Sequence, residues 1–242
     1  MVLPMTDTDT AVAAARPRAG GRAHAGPPLV VPALAFLVTF GASGLAGPLS
    51  GSGTVPSPYA HAGVVERFFA AHHTATGVTA FFLLAAATAL VFFSAIVWSR
   101  LTFLAPNVPG PAIAAFGGLS AAALLSVGGS LEWLLSRPAV TSQPGLVRML
   151  DDAVFVTAGP AHTGALGMLM LGVAVTTWFV RRTPPWLSVL GVVIAVVDVA
   201  STLSLLSSTL TPLIPIGRFS SMLWIVAISV ALPRTRAARG GS

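Results

Sequence analysis

Long apolar stretches recur along the chain and are separated by short polar segments. A helix needs about 20 apolar residues to cross the hydrocarbon core of a bilayer, because each residue adds about 1.5 Å. The pattern predicts six such helices, so the fold class is an all-α, polytopic integral membrane bundle. The six predicted spans are residues 28–48, 74–98, 112–135, 154–180, 186–208 and 214–233.

Polar tails flank the transmembrane domain of residues 28–233. Residues 1–27 are rich in Ala, Gly, Thr, Pro and Arg and lack apolar periodicity, which predicts a disordered cytoplasmic tail. Residues 234–242 form a short basic cytoplasmic tail. The first span is short, and a cleaved signal peptide with Arg16, Arg18 and Arg22 as its charged region is an alternative interpretation of it.

The arginines predict the orientation of the bundle. Nine arginines flank one end of the spans, whereas only Arg67, Arg137 and Arg148 flank the other. Cytoplasmic segments carry the excess of basic residues, so both termini are predicted to be cytoplasmic, in agreement with an even number of spans. The opposite face, which carries residues 49–73 and 136–153, is named the outer face below.

The composition excludes a soluble domain. Of the 242 residues, 55% are hydrophobic and 8% are charged, and the mean hydropathy is +0.85. An average soluble domain has about 25% charged residues. The net charge of +6 comes from arginines beside apolar runs, so the predicted partner is the lipid bilayer and not nucleic acid. The absence of cysteine excludes disulfides, thiolate metal sites and cysteine nucleophiles.

Asp198 is the most deeply placed charge, near the middle of the fifth span. A charge at that depth costs several kcal/mol and therefore needs a partner or a function. It is either a residue that joins helices or a proton or ligand site. Helical spacing predicts a small or polar face shared with Asp198, made of Gly191, Ala195, Ser201, Thr202 and Leu205.

Arg218 lies early in the sixth span, on a helix that must run antiparallel to the fifth. An ion pair between Arg218 and Asp198 is therefore one prediction. The alternative is that Arg218 extends to the outer lipid headgroups.

Two further residues stand where helices approach closely or bend. Glu132 lies near the outer end of the third span, above a seam of glycines, and faces either the bundle or interfacial water. His162 follows Pro160, which lacks a backbone N–H and leaves the carbonyl of Val156 without its helical donor. The sequence predicts a bent helix with an imidazole beside it.

The four residues discussed above all map to the outer half of the bundle. The pair His72 and His73 maps there as well, although a position at the membrane–water interface would also explain why these two histidines are present. This asymmetry predicts a polar cavity that opens outward. No two of the residues have the spacing of a metal-binding helix, so no metal and no cofactor are predicted. The candidate ligand or proton site comprises Glu66, His72, His73, Glu132, His162, Asp198 and Arg218.

Five stretches carry a resemblance to a known group of proteins. They include RFFAAHHTATGVTAFF, GPAHTGALGMLMLGV and STLSLLSSTLTPLIPIGRFSSMLWIVAISVALP. From Glu66 to Pro233 the chain resembles a family of uncharacterised bacterial multi-pass membrane proteins, defined by a domain of unknown function. The resemblance implies a six-helix protein of the bacterial cytoplasmic membrane and no catalytic residue. The outer carboxylates and histidines also look faintly like those of zinc-dependent membrane hydrolases, but the last two spans lack the paired histidines of those enzymes.

The sequence leads to three functional hypotheses. The first is a non-enzymatic membrane protein whose outward-facing pocket binds a small ligand, a lipid headgroup, an ion or a proton. The second is a membrane-embedded metal enzyme with ligands from His72, His73 or His162 and a base from Glu132 or Asp198. The third is a b-type haem protein ligated by His73 and His162.

Overall fold

The computed structural model describes residues 27–181 and 183–232. Within those ranges the chain forms helices, turns and loops and no strand, which confirms the predicted all-α class. The two predicted tails lie outside the described residues, except for Pro27. Six stretches of helix are long and apolar enough to cross a membrane, and they confirm the six predicted spans.

The helices are numbered in chain order. Spans one to three are α1 (Val30–Leu49), α3 (His73–Leu104) and α4 (Gly110–Leu135). The short helix α2 (Ala62–Ala71) lies between α1 and α3, and the short helix α5 (Pro138–Thr141) follows α4. Span four comprises α6 (Pro144–Val156), a π-helical turn (Thr157–Ala161) and α7 (His162–Val180). Spans five and six are α8 (Pro185–Ala200) with a 3₁₀ turn (Ser201–Leu205), and a 3₁₀ turn (Ser208–Leu210) followed by α9 (Leu213–Ala231).

The six spans close into a ring. Each span packs against the next one along the chain, and α9 packs back against α1. Phe36 of α1 is fully buried in the shared core. In the full chain the first span is thus packed as a member of the bundle.

The fourth span begins ten residues earlier than predicted and is bent in the middle. Pro144 starts the helix, and the charges of Arg148 and its neighbours hide this first part from a hydropathy average. At the bend, Gly159 leaves helical geometry, with φ −92° and ψ −112°. Pro160 supplies no N–H there, so the predicted bend beside His162 is confirmed.

The predicted glycine seam on α4 lets the bent span approach closely. A Cβ atom placed on Gly128 would lie 2.5 Å from the Cβ of Ala158 in the π-helical turn. Such a distance excludes any larger residue without movement of the helices. The seam brings the outer end of α4, which carries Glu132, directly against the bend.

The segment between α1 and α2 is attached to the outer ends of the spans. Arg148 of α6 donates to the carbonyls of Ala60, at 3.1 Å, and Pro58. The hydroxyl of Tyr59 donates to the carbonyl of Ser204 at 2.9 Å. These contacts, with a small apolar cluster between α2, α4 and α6, cover the outer face of the ring.

Candidate ligand site at the outer face

A cavity of about 330 Å³ lies at the outer ends of the spans. Its walls come from α1, α2, α3, α4, the π-helical turn and α9, and residues 52–55 contribute to its rim. The name outer cavity is used for this space. Its polar or charged lining residues are Ser43, Ser52, Thr54, Thr76, Thr79, Glu132 and Arg218.

Glu132 brings a carboxylate to the outer cavity and is itself almost completely buried. Its side chain is only 5% exposed, because it continues the glycine seam of α4 against the bent span. Within residues 27–181 and 183–232, nothing donates a hydrogen bond to this carboxylate or forms an ion pair with it. Asp151 of α6 is a second buried carboxylate, and its Oδ2 has no hydrogen-bond partner among the described residues.

Arg218 brings the opposite charge to the same cavity and also holds the bend of the fourth span. Its Nη2 donates to the carbonyls of Gly159, at 3.0 Å, and Ala158. Its Nε and Nη2 also reach the hydroxyl oxygen of Thr163, at 3.3 and 3.0 Å. The guanidinium carbon lies 5.1 Å from the ring centroid of Phe40.

This arrangement explains why a charged residue is tolerated in the sixth span. The π-helical turn frees backbone carbonyls within the span, and Arg218 supplies donors to them. Its Nη1 donates to none of the residues that the structure describes. One guanidinium nitrogen is therefore still available for a ligand.

Hydroxyl groups give the cavity wall further acceptors. Ser43 donates to the carbonyl of Phe40 at 2.7 Å, Thr76 to that of His72 at 3.0 Å, and Thr79 to that of Ser43 at 3.3 Å. Because each hydroxyl hydrogen is used on the backbone, only the oxygen lone pairs remain for a ligand. These three hydroxyl groups, like the Glu132 carboxylate, therefore offer a ligand hydrogen-bond acceptors and no donors.

Asp198 lies in a different place, fully buried between α7, α8 and α9. Its Oδ2 accepts a 2.5 Å hydrogen bond from Ser221, and its Oδ1 lies beside Gly217 with no hydrogen-bond partner among the described residues. Among the described residues no ion pair joins it to Arg218. The predicted contact is absent because Arg218 is directed to the carbonyls of the bend.

The predicted polar face around Asp198 is correct except at its end. Gly191, Ala195 and Ser201 are buried, but Leu205 is exposed and Ser204 is buried instead. The helix tightens to a 3₁₀ turn at Ser201, where side chains three residues apart lie on one face. The buried row therefore continues from Ser201 to Ser204.

His162 is fully buried behind the outer cavity and does not line it. Its Nδ1 lies 2.8 Å from the carbonyl of Ala121, and donation to that oxygen leaves Nε2 as an acceptor with no partner among the described residues. Its ring is stacked on Phe40, with centroids 6.4 Å apart and planes 8° apart. Phe40, which does line the cavity, thus contacts both His162 and Arg218.

The remaining predicted residues lie on α2 or at its junction with α3, and none of them lines the outer cavity. His72 directs its Nδ1 to the carbonyl of Phe68 at 2.8 Å. The Nδ1 of His73 is buried without a partner among the described residues, and Glu66 is partly buried on α2. The structure thus brings only Glu132 and Arg218, of the seven predicted residues, into this cavity.

The metal hypotheses find no ligand set in the described part of the chain. No three side chains of His, Asp or Glu are grouped there in a way that could hold a metal ion. His73 and His162, the predicted haem ligands, lie outside the outer cavity.

Asp151 and Phe40 are functional candidates that sequence analysis did not identify. Asp151 is buried four residues after the buried Val147, on the inner face of α6. This spacing and the preceding Pro144 were available in the sequence, but the segment reads as an outer loop by hydropathy. Phe40 has no sequence signal, because an aromatic residue in a span is ordinary.

Comparisons with known proteins assign no activity to this arrangement. No family model matches the chain, and neither a curated protein nor a solved structure matches it. Resemblance to the family of bacterial membrane proteins stays a prediction.

Proposed function

We propose that this multi-pass membrane protein binds a small polar ligand in the outer cavity and acts without catalysis. The observation that supports the proposal is that Glu132 and Arg218 line one cavity without forming an ion pair. A buried charge is costly unless it is paired. A ligand that contacts either group compensates part of this cost.

The cavity also has the size and lining of a ligand site. Its volume of about 330 Å³ lies at the lower end of the range for small-molecule pockets, which is about 300–1,000 Å³. Apolar side chains such as Phe40, Leu83 and Val55 surround a few polar groups. This combination of an apolar wall and a few placed polar groups is typical of ligand pockets.

A cavity-filling substitution tests the proposal without touching either charge. Gly44 lines the cavity, and a Cβ atom on it would meet no other atom within 4 Å. Gly44→Phe should therefore fold and place a ring in the ligand space. Gly41→Phe is the matched control, because Gly41 has equally open surroundings on the same helix but does not line the cavity.

The measurement is thermal unfolding in phosphatidylglycerol nanodiscs with ethanolamine, inorganic phosphate or O-phosphoethanolamine added separately. Ligand binding raises stability by about 2.7 kcal/mol at a concentration 100-fold above Kd. At least one compound should stabilise the wild type and Gly41→Phe and lose its effect on Gly44→Phe. Equal responses of the two variants to every compound would contradict binding in this cavity.

A further inference from the structure

We infer that the ligand of the outer cavity is a zwitterion, with an ammonium group held by Glu132 and an acidic oxygen held by Arg218. The inference rests on the proposed function and adds the chemical class of the ligand. Ethanolamine phosphate has this chemistry, both as a free molecule and as the headgroup of phosphatidylethanolamine. A free amino acid has it as well.

The part of the cavity wall that carries Glu132 and the hydroxyl groups offers hydrogen-bond acceptors, which suit an ammonium group. The Glu132 carboxylate is buried and takes no donor from the described residues, and the chain contains no lysine at all. Ser43, Thr76 and Thr79 add oxygens whose own hydrogens are directed to backbone carbonyls. An ammonium group has three donors and no acceptor, so it satisfies such a wall.

The opposite charge matches an acidic oxygen. Arg218 is held in one position by the carbonyls of Ala158 and Gly159, by Thr163 and by the ring of Phe40. An immobilised guanidinium loses little further entropy when a ligand binds. Its Nη1 can donate one charge-assisted hydrogen bond to a phosphate or carboxylate oxygen.

A simple ion satisfies only half of this site. A cation bound at Glu132 leaves the arginine charge uncompensated in the cavity, and an anion bound at Arg218 leaves the carboxylate uncompensated. The two side chains do not reach each other to form an ion pair. A molecule that carries both charges bridges the gap and compensates both groups.

The rim of the cavity admits either source of the zwitterion. Gly44 and Pro48 of α1 and Val55 form exposed parts of the rim. Beside them on α1, Leu45 and Leu49 are 55% and 82% exposed. A lipid can therefore place its headgroup in the cavity and its chains along α1, whereas a free zwitterion enters from the water at the outer face.

Calorimetric titration of the full-length protein in phosphatidylglycerol nanodiscs tests the ligand class. The probes are O-phosphoethanolamine, ethanolamine and inorganic phosphate, and the variants are Glu132→Gln and the control Glu66→Gln, which lies outside the cavity. O-Phosphoethanolamine should bind at least tenfold more tightly than either half. Glu132→Gln should weaken the zwitterion at least tenfold without changing phosphate binding, and Glu66→Gln should behave as the wild type.

A second measurement, with lipids as probes, distinguishes a lipid headgroup from a free zwitterion. Native mass spectrometry of the detergent-solubilised protein measures retention of added phosphatidylethanolamine against phosphatidylglycerol, and a tenfold preference lost in Glu132→Gln identifies the lipid headgroup. Binding of O-phosphoethanolamine without that preference identifies a free zwitterion. Either result supports the inference, provided that Glu132→Gln unfolds at the wild-type temperature.

Several results would overturn the zwitterion. Equal affinity of Glu132→Gln and the wild type would show that the carboxylate holds no charge that the ligand senses. Phosphate binding as tight as that of O-phosphoethanolamine, but lost in Gly44→Phe, would leave the proposed function standing and reject the zwitterion. If no probe bound in either measurement, both the zwitterion and the proposed function would be rejected, whereas binding of ethanolamine or phosphate alone, lost in Gly44→Phe but kept in Gly41→Phe, would reject only the zwitterion.

Discussion

Replacing Arg218 by methionine tests whether this arginine holds the bend of the fourth span. The change keeps a long side chain over Phe40 but removes the donors to Ala158, Gly159 and Thr163. Two backbone carbonyls and one hydroxyl then lose a donor inside the bundle. The variant should therefore be less stable than the wild type.

The magnitude follows from the number of acceptors. An interhelical hydrogen bond in a membrane protein contributes about 0.6 kcal/mol on average and about 1.7 kcal/mol at most. Three acceptors give about 2 kcal/mol at the average and about 5 kcal/mol at the maximum. Methionine also removes the cost of burying a charge, so we expect a loss of about 2 kcal/mol, at the lower end of this range.

Reversible unfolding in mixed SDS micelles measures this loss. Arg137→Met is the matched control, because the Arg137 side chain is exposed and, among the described residues, contacts only the ring of Trp133, at 5.1 Å. That contact is worth under about 1 kcal/mol. A double-mutant cycle with Thr163→Val should show that the two losses are not additive, since the side chains share one network. Losses for Arg218→Met and Arg137→Met within about 0.5 kcal/mol of each other would refute the role of Arg218 as a clamp.

Three other outcomes are expected. Ser221→Ala removes the only donor that the described residues give the Asp198 carboxylate and should cost about 1–3 kcal/mol in SDS unfolding. Ser229→Ala, whose hydroxyl donates within its own helix, should cost less than about 0.5 kcal/mol, and equal losses for the two variants would contradict the role of Ser221. Gly128→Ala should lower the stability by about 1–3 kcal/mol in the same assay, because its Cβ would collide with the bent span. Gly145→Ala is the control, since its Cβ would have no atom within 4 Å, and equal stability of Gly128→Ala and the wild type would reject the close approach. A reporter fused to the C-terminus should be active in the cytoplasm, and activity outside would reverse the predicted orientation.

The number and approximate limits of the spans could be predicted from the sequence, because a hydrocarbon core selects for long apolar helices regardless of tertiary contacts. The bend at Pro160 and the glycine seam below Glu132 could also be predicted, since both follow from the chemistry of a single residue type. The start of the fourth span at Pro144 could not be read from hydropathy. Its first turns carry charges that the fold places against the outer segments.

The grouping of the site residues depends on three-dimensional contacts that helical periodicity does not contain. Periodicity places Asp198 and Arg218 on facing helices, but both have nearer partners, in Ser221 and in the carbonyls of the bend. His162 is predicted to belong to the outer cavity, but it is buried outside it, with the ring of Phe40 against its own ring. Only a structure shows that Glu132 and Arg218, which are far apart in sequence, line the same space.

Thiol labelling of a single cysteine tests the outer cavity most directly, because the natural chain has no cysteine. Thr79→Cys places a thiol on the cavity wall, and Ala80→Cys places one at the next position, which is fully buried and outside the cavity. A membrane-impermeant methanethiosulfonate reagent added to intact cells should modify Thr79→Cys and leave Ala80→Cys unmodified. Equal protection of both thiols, or labelling of Thr79→Cys only from the cytoplasmic side, would contradict a water-accessible cavity at the outer face.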